Sequence, residues 1–155
     1  LGHKNIAFIN GPEYYTNSFD RYVGYQKALE ENDIPLRKEY ILRGNYGMKS
    51  GYSASNELVR LKPAPTAIFS ANDRMASGVI KGLKEKSIKI PQDMAVAGYD
   101  DSDIATIIEP NLTTVRIPFF EMGKKCALSF IDSLNDRSSS FKHIINPELI
   151  IRDST

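Results

Sequence analysis

Short apolar runs, each closed by a small residue beside a polar or aromatic one, alternate along the chain with longer amphipathic stretches. Few folds accept that pattern. Strands that are apolar on both faces need cover on both sides, and helices between successive strands supply it. Residues 6–10 form the first such run, closed by Gly11-Pro12. Further strands are predicted at 40–43, 66–70, 94–98 and 112–115, with a last one at 143–151. Helices are predicted at 18–31, where Phe19, Tyr22, Val23, Gln26 and Leu29 fall at helical spacing, and at 49–61, 73–86 and 119–135. Residues 136–140 read as a polar loop. The implied fold is α/β, with a mostly parallel sheet and helices on both faces set by right-handed crossovers.

In sheets of this kind ligands bind at the carboxyl ends of the strands. The first strand is followed by Tyr15, Asn17 and then Arg21, placed in the first turn of a helix. The second is followed by Tyr46, the third by Asn72-Asp73 and the fourth by Gly98-Tyr99-Asp100-Asp101. A guanidinium, an aromatic ring, an amide and a carboxylate are complementary in kind. Asp accepts hydrogen bonds, Arg donates in a fixed fork, Asn does both, and an aromatic ring covers the apolar face of a sugar or stacks on a base. The set suits a small, polar, uncharged ligand such as a sugar or a nucleoside-like molecule. Each residue also has a simpler reading. Asp73 reads as a helix N-cap, Asp100 or Asp101 as a cap for the turn at 102–104, Arg21 as a solvated helix arginine and Tyr46 as loop packing. Their joint placement after successive strands favours the binding reading.

Catalysis and metal binding find little support. Gly51-Tyr52-Ser53-Ala54-Ser55 lacks the last glycine of a nucleophile elbow and falls in a helix. His3 and His143 stand beside no strand-end nucleophile, and Cys126, on the apolar side of its helix, reads as a small core residue. Asn10-Gly11-Pro12 matches no phosphate loop. The cluster of Asp100, Asp101 and Asp103 lacks the oxygen run and turn glycine of a calcium loop. The site is therefore expected to contain no catalytic residue, no metal and no cofactor.

Charge narrows the partners. Twenty Lys and Arg face nineteen Asp and Glu, so the chain has no general basic excess for gripping phosphates and is not expected to be the element that reads nucleic acid. One cysteine excludes an internal disulfide, and no apolar run reaches the roughly 18 residues of a membrane span. The opening Leu1-Gly2-His3-Lys4-Asn5 does not read as a signal peptide, and without an initiator Met the 155 residues read as a piece of a longer chain.

Three stretches carry a family resemblance. Pro65-Thr66-Ala67-Ile68-Phe69-Ser70-Ala71-Asn72-Asp73-Arg74-Met75-Ala76, Ile90-Pro91-Gln92-Asp93-Met94-Ala95-Val96-Ala97-Gly98-Tyr99-Asp100-Asp101 and Glu109-Pro110-Asn111-Leu112-Thr113-Thr114-Val115-Arg116 occur in order, the last followed by Met122-Gly123. Together with Gly2-His3-Lys4-Asn5-Ile6-Ala7 and Ser50-Gly51-Tyr52, they resemble the lac and galactose repressor (LacI/GalR) family over essentially the whole chain. The resemblance implies a type I periplasmic-binding-protein-like fold of two lobes around a cleft. Residues 1–115 then correspond to the second lobe, 116–138 to a crossover helix belonging to an absent first lobe, and 139–155 to the strand that returns. The helix face of Phe119, Met122, Cys126, Phe130 and Leu134 is then expected to lack its normal partner.

The resemblance also implies roles. Arg21, Tyr46, Asn72 and Asp100 match effector contacts, and Tyr15 and Asn17 occupy positions that tune ligand choice. Tyr15 stands where a purine-binding member carries arginine, which favours a sugar. Ser77, Ile107 and Ile108 fall in segments that contribute to a homodimer interface. The function implied is effector binding in a cytoplasmic transcriptional regulator, with operator DNA bound by a helix-turn-helix headpiece absent from this chain and no membrane partner. Effector closes or opens the cleft and so changes operator affinity. The alternative is a secreted sugar-binding protein of the same fold serving an importer; Leu112-Thr113-Thr114-Val115 argues for the regulator.

Overall fold

A computed structural model describes residues 1–134 and 142–155. The elements run β1 (Ile6–Asn10), α1 (Thr16–Glu30), a 3-10 turn (Lys38–Tyr40), β2 (Ile41–Arg43), α2 (Met48–Leu58), β3 (Ala67–Ser70), α3 (Asp73–Glu85), β4 (Ala95–Ala97), α4 (Ile104–Ile107), β5 (Thr114–Arg116), α5 (Phe119–Leu134) and β6 (Glu148–Ile150). β2, β1, β3 and β4 form one parallel sheet in that order. The chain steps outward from β1 to β2, then turns back across β1 to β3 and β4. The carboxyl ends of β1 and β3 therefore flank the switch point where such sheets open a crevice.

Ala7, Phe8 and Ile9 are wholly buried. Phe8 lies between Tyr25 of α1 and Phe69 of β3, with ring centroids 5.0 and 5.1 Å away. That stack sets the inward face of α1: Tyr25 and Leu29 are buried, whereas Phe19, expected on the apolar face, is exposed. On the other face α2 and α3 pack backbone to backbone. A Cβ at Gly51 would overlap the Met75 carbonyl, and one at Gly78 would overlap the Met48 carbonyl.

The β4 edge is covered by the end of the chain. Val96 donates its N–H to the Ser154 carbonyl (2.8 Å), and the buried Ser154 hydroxyl donates to the Val96 carbonyl (2.6 Å). Beyond that point Gly98 and Asp100 donate to the Thr113 and Val115 carbonyls, and β5 pairs antiparallel with β6. The last strand is shorter than predicted, because β5 offers only Thr114–Arg116 as a partner. The loop predicted at 136–140 lies outside the described residues.

α5 differs from the other long helices. Phe119, Phe120, Phe130 and Leu134 are each more than half exposed, and Ser129 is its one buried residue. Cys126 is exposed, which corrects its reading as a core residue: the face it occupies has no sheet beneath it here. No helix among the described residues is long and apolar enough to cross a membrane.

Candidate functional site

The strand-end residues converge on Arg21. It lies in the second turn of α1, one turn later than predicted, because the helix starts at Thr16. Its guanidinium donates to the Ala71 carbonyl at 2.8 Å and to Asp100 Oδ1 at 3.4 Å, and it stacks over the Tyr99 ring at 4.1 Å. Asp100 follows β4 in left-handed backbone, φ 112°, and Asp101 has φ 53°. Such geometry costs a non-glycine residue about 1–2 kcal/mol. Here it turns the two adjacent carboxylates onto different partners. Burial pushes the Asp100 carboxyl up to about 6, against the opposing pull of Arg21 and with a further push from Asp73.

Tyr46, also left-handed at φ 63°, forms the second wall. Its hydroxyl bonds Ser18 Oγ at 2.6 Å and donates to Asn17 Oδ1 at 3.1 Å. Its ring lies so close to Gly11 that any side chain there would overlap it. Tyr15, at the start of α1, lies 5.9 Å from Tyr46 between ring centroids. Asn72 joins this wall to the sheet. Its side-chain oxygen accepts from the Met75 N–H (2.9 Å), and its amide nitrogen donates to the Tyr46 carbonyl (3.2 Å). Asn72, not Asp73, is therefore the N-cap of α3. One amide hydrogen is left for a ligand.

Asp73 instead lies buried behind the site. It accepts from the Ser102 N–H (2.8 Å), the Ser102 hydroxyl (3.1 Å) and the Thr114 hydroxyl (2.5 Å). Burial raises its pKa and these three bonds oppose the rise. Neither Asp100 nor Asp101 caps α4, whose first residue follows Asp103 with no side-chain cap. Asp101 turns away to Arg116 (2.7 Å) and Arg152 (2.6 Å). The strand-end pattern gives no sign of these roles for Asp101, Ser18 or Arg152. The adjacent acidic pair after Gly98-Tyr99 is the available signal, since two carboxylates on one short loop need separate partners.

Six predicted site residues, Arg21, Tyr46, Asn72, Asp100, Tyr15 and Asn17, thus form one connected group at the switch point. Arg21 and Asp100 are paired, and Arg43 at the rim is paired with Glu13 at 2.7 Å, so these arginines are already matched to carboxylates. Among the described residues no group of three or more His, Cys, Asp and Glu is placed to hold a metal. Of the three residues predicted at a dimer face, Ile107 is bare, 77% exposed, Ile108 is half-buried, and Ser77 is buried with its hydroxyl donating to the Arg74 carbonyl.

Residues 1–155 match the family model described as periplasmic binding protein-like domain. The chain is 35% identical to the NTD biosynthesis operon regulator NtdR of Bacillus subtilis, over 99% of this chain and 47% of the relative. A regulatory protein of the LacI family from Chloroflexus aggregans superposes with a TM-score of 0.94 at 35% identity, over 99% of this chain and 56% of that one. The complex of the transcriptional regulator CelR with cellobiose superposes at 0.91 with 30% identity, over 99% and 47%. The chain spans about half the length of these relatives.

Proposed function

The chain belongs to the periplasmic binding protein-like domain family of the LacI-type regulators, and from that premise we propose that it is the effector-binding half of a transcriptional regulator whose effector is an uncharged sugar. The observation that carries the reading is the Arg21–Asp100 pair at the switch point, walled by Tyr46 and Tyr99 and flanked by Asn72. A sugar hydroxyl can accept from Arg21 or Asn72 and donate to Asp100, while a tyrosine ring covers the apolar face of the sugar ring. Arg21 already faces a carboxylate, so its charge is not free to bind a carboxylate or phosphate ligand. Asn17 holds Tyr46 in place, and Tyr15 extends the aromatic wall outward.

In this reading residues 1–115 and 139–155 are one lobe, and the helix in 116–138 packs on the other. The bare apolar face of α5 supports that division. The exposed Ile107 belongs to a homodimer face, together with Ile108 and the segment that carries the buried Ser77. Operator DNA is bound by a headpiece outside this chain, in the cytoplasm. Effector bridging both lobes changes the relative position of two headpieces, with a coupling of about 1–3 kcal/mol that is reciprocal between effector and DNA.

Calorimetry on the intact protein tests this. D-glucose, D-galactose, D-ribose, cellobiose and adenosine would be compared with D-glucuronate and glucose 6-phosphate. One of the neutral sugars should bind, and Arg21→Ala or Asp100→Ala should abolish the binding. Preferential binding of an anionic sugar, or an Asp100→Ala variant that binds as the parent does, would overturn the reading. Retention of the protein on its own promoter DNA, altered by that sugar, tests the regulatory half.

A further inference from the structure

The carboxylate next to Asp100 has no place in the ligand site, yet it is held by two short charge-assisted bonds. Asp101 Oδ2 accepts from Arg116 Nε at 2.7 Å, and Oδ1 accepts from Arg152 Nη2 at 2.6 Å. Its side chain is 9% exposed. Burial alone would raise its pKa; the two guanidiniums outweigh burial and hold it below the usual carboxylate range. Arg152 is itself fixed, donating through Nη1 to the Leu112 carbonyl at 2.7 Å, with its N–H bonded to Thr113 Oγ1. Arg116 reaches on to Glu148 of β6 at 3.3 Å.

These partners occupy two particular places. Arg116 ends β5, which leads through Ile117-Pro118 directly into α5. Arg152 follows β6, the strand that comes after α5. One carboxylate therefore joins the end of β5, just before α5, to the residue just past β6, the strand that comes after α5. The neighbouring backbone is tied as well, since Asp100 N–H donates to the Val115 carbonyl at 2.9 Å and Asp101 N–H to Thr114 Oγ1 at 3.3 Å. The left-handed turn at 100–101 aims one carboxylate at Arg21 and the other at the two strands.

We propose that Asp101 is the positioning residue of the site: clamped by Arg116 and Arg152, it holds the loop that presents Asp100 and ties ligand contact there to the two strands that lead into and out of α5. The inference rests on the reading of Asp100 as a ligand contact. It assigns the Asp101–Arg116–Arg152 cluster the task of carrying occupancy at the sheet ends to α5.

The test uses the intact protein and D101N, which keeps the shape of the side chain and tolerates left-handed backbone. R152K serves as a second variant, keeping the charge but losing the fork that spans Asp101 and the Leu112 carbonyl. Without any ligand, amide exchange at 100–102, 113–116 and 149–152 should rise by about tenfold in D101N, while Ile9 and Ile68 exchange as before. The Arg21 side-chain nitrogen resonance should shift, because Asp100 leaves its place. A uniform rise across the sheet, or an unmoved Arg21 resonance, would mean that Asp101 is merely structural and would overturn the proposal. D-glucose, D-galactose and D-ribose are then added. A sugar that binds the parent should slow exchange at 113–116 and 149–152 there. In D101N, at saturation, it should slow exchange only after β1 and β3. Equal protection in both proteins would also overturn the proposal. Failure of all three sugars to bind the parent counts against the sugar reading, while the ligand-free exchange still decides the role of Asp101.

Discussion

Arg21 and Asp100, 79 residues apart in the chain, meet at 3.4 Å as a loose ion pair. The looseness has a cause. The other end of the guanidinium is committed at 2.8 Å to the Ala71 carbonyl, and its face to the Tyr99 ring. Asp100 therefore receives one long charge-assisted contact for its burial, and its carboxyl rises to about 6 instead of falling. The pair is held apart at a separation that a hydroxyl bonding to both partners could exploit.

This makes the stability depend on pH in a defined direction. Asp100 is protonated in the folded and unfolded chain alike well below 3.8, and between 3.8 and about 6 only the folded chain holds the proton. Stability from this group is thus fully present at low pH and lost as pH rises through about 6. Asp100→Asn should be more stable than the parent by about 1–2 kcal/mol near pH 7, the full shift being discounted for partial exposure. The advantage should vanish toward pH 4. Urea unfolding of both proteins across pH checks this, and a difference that does not vary with pH would refute it. Sugar affinity should move the other way, weakening below about pH 6 as the acceptor is protonated.

Glycine-to-alanine substitutions should split by helix. Gly51→Ala or Gly78→Ala drives a methyl into the backbone of the facing helix and should cost about 1–3 kcal/mol despite the better helix propensity of alanine. A methyl group added at Gly24 in α1 would meet nothing within 4 Å, so Gly24→Ala should stabilise by about 0.5–1 kcal/mol. Denaturant midpoints for the three variants decide the matter; one common sign would contradict the packing described.

Legibility follows the range of the forces involved. β1 and α3 are readable almost to the residue because their ends are marked locally, β1 by Gly11-Pro12 and α3 by the Asn72-Asp73 pair, although the cap is Asn72 and not the Asp73 that the sequence suggests. The inward face of α1 is not, because Tyr25 is selected by stacking on Phe8, a contact between elements that leaves no trace in helical period. The group of Arg21, Tyr46, Asn72 and Asp100 is legible because a parallel sheet aligns its strand ends. The Asp101 clamp is hidden: its partners lie 15 and 51 residues away, and no periodicity links them. Asp73 reads as a cap for the same reason, since the hydroxyl that makes it a buried acceptor belongs to Thr114.

Asp73→Ala should therefore be far more damaging than loss of a helix cap. It leaves the buried Thr114 hydroxyl without its acceptor, a loss that costs about 1–3 kcal/mol, and it also removes the bond from the Ser102 N–H. Asn72→Ala removes a cap bond and should cost about 1 kcal/mol. Thermal unfolding should rank the two in that order; equal losses would mean that the buried bonds contribute little.

The 155-residue chain on its own should self-associate through α5. Phe119, Phe120, Phe130 and Leu134 are 62%, 79%, 63% and 70% exposed, so they lie open along one element that is otherwise an amphipathic helix. Burying a side chain of this kind is worth roughly 1.5–3 kcal/mol, so pairing two such faces is favourable even after part of that is spent on ordering the partners. Sedimentation velocity should show mass increasing with concentration, and Phe130→Asp with Leu134→Asp should return the chain to a monomer, because both remove apolar surface and add repulsion across the pair. Neither residue touches the sheet core, so the same double variant should unfold at the parent's denaturant midpoint. A parent that stays monomeric at every concentration would show that the α5 face is satisfied within one chain, and would count against assigning that helix to the other lobe.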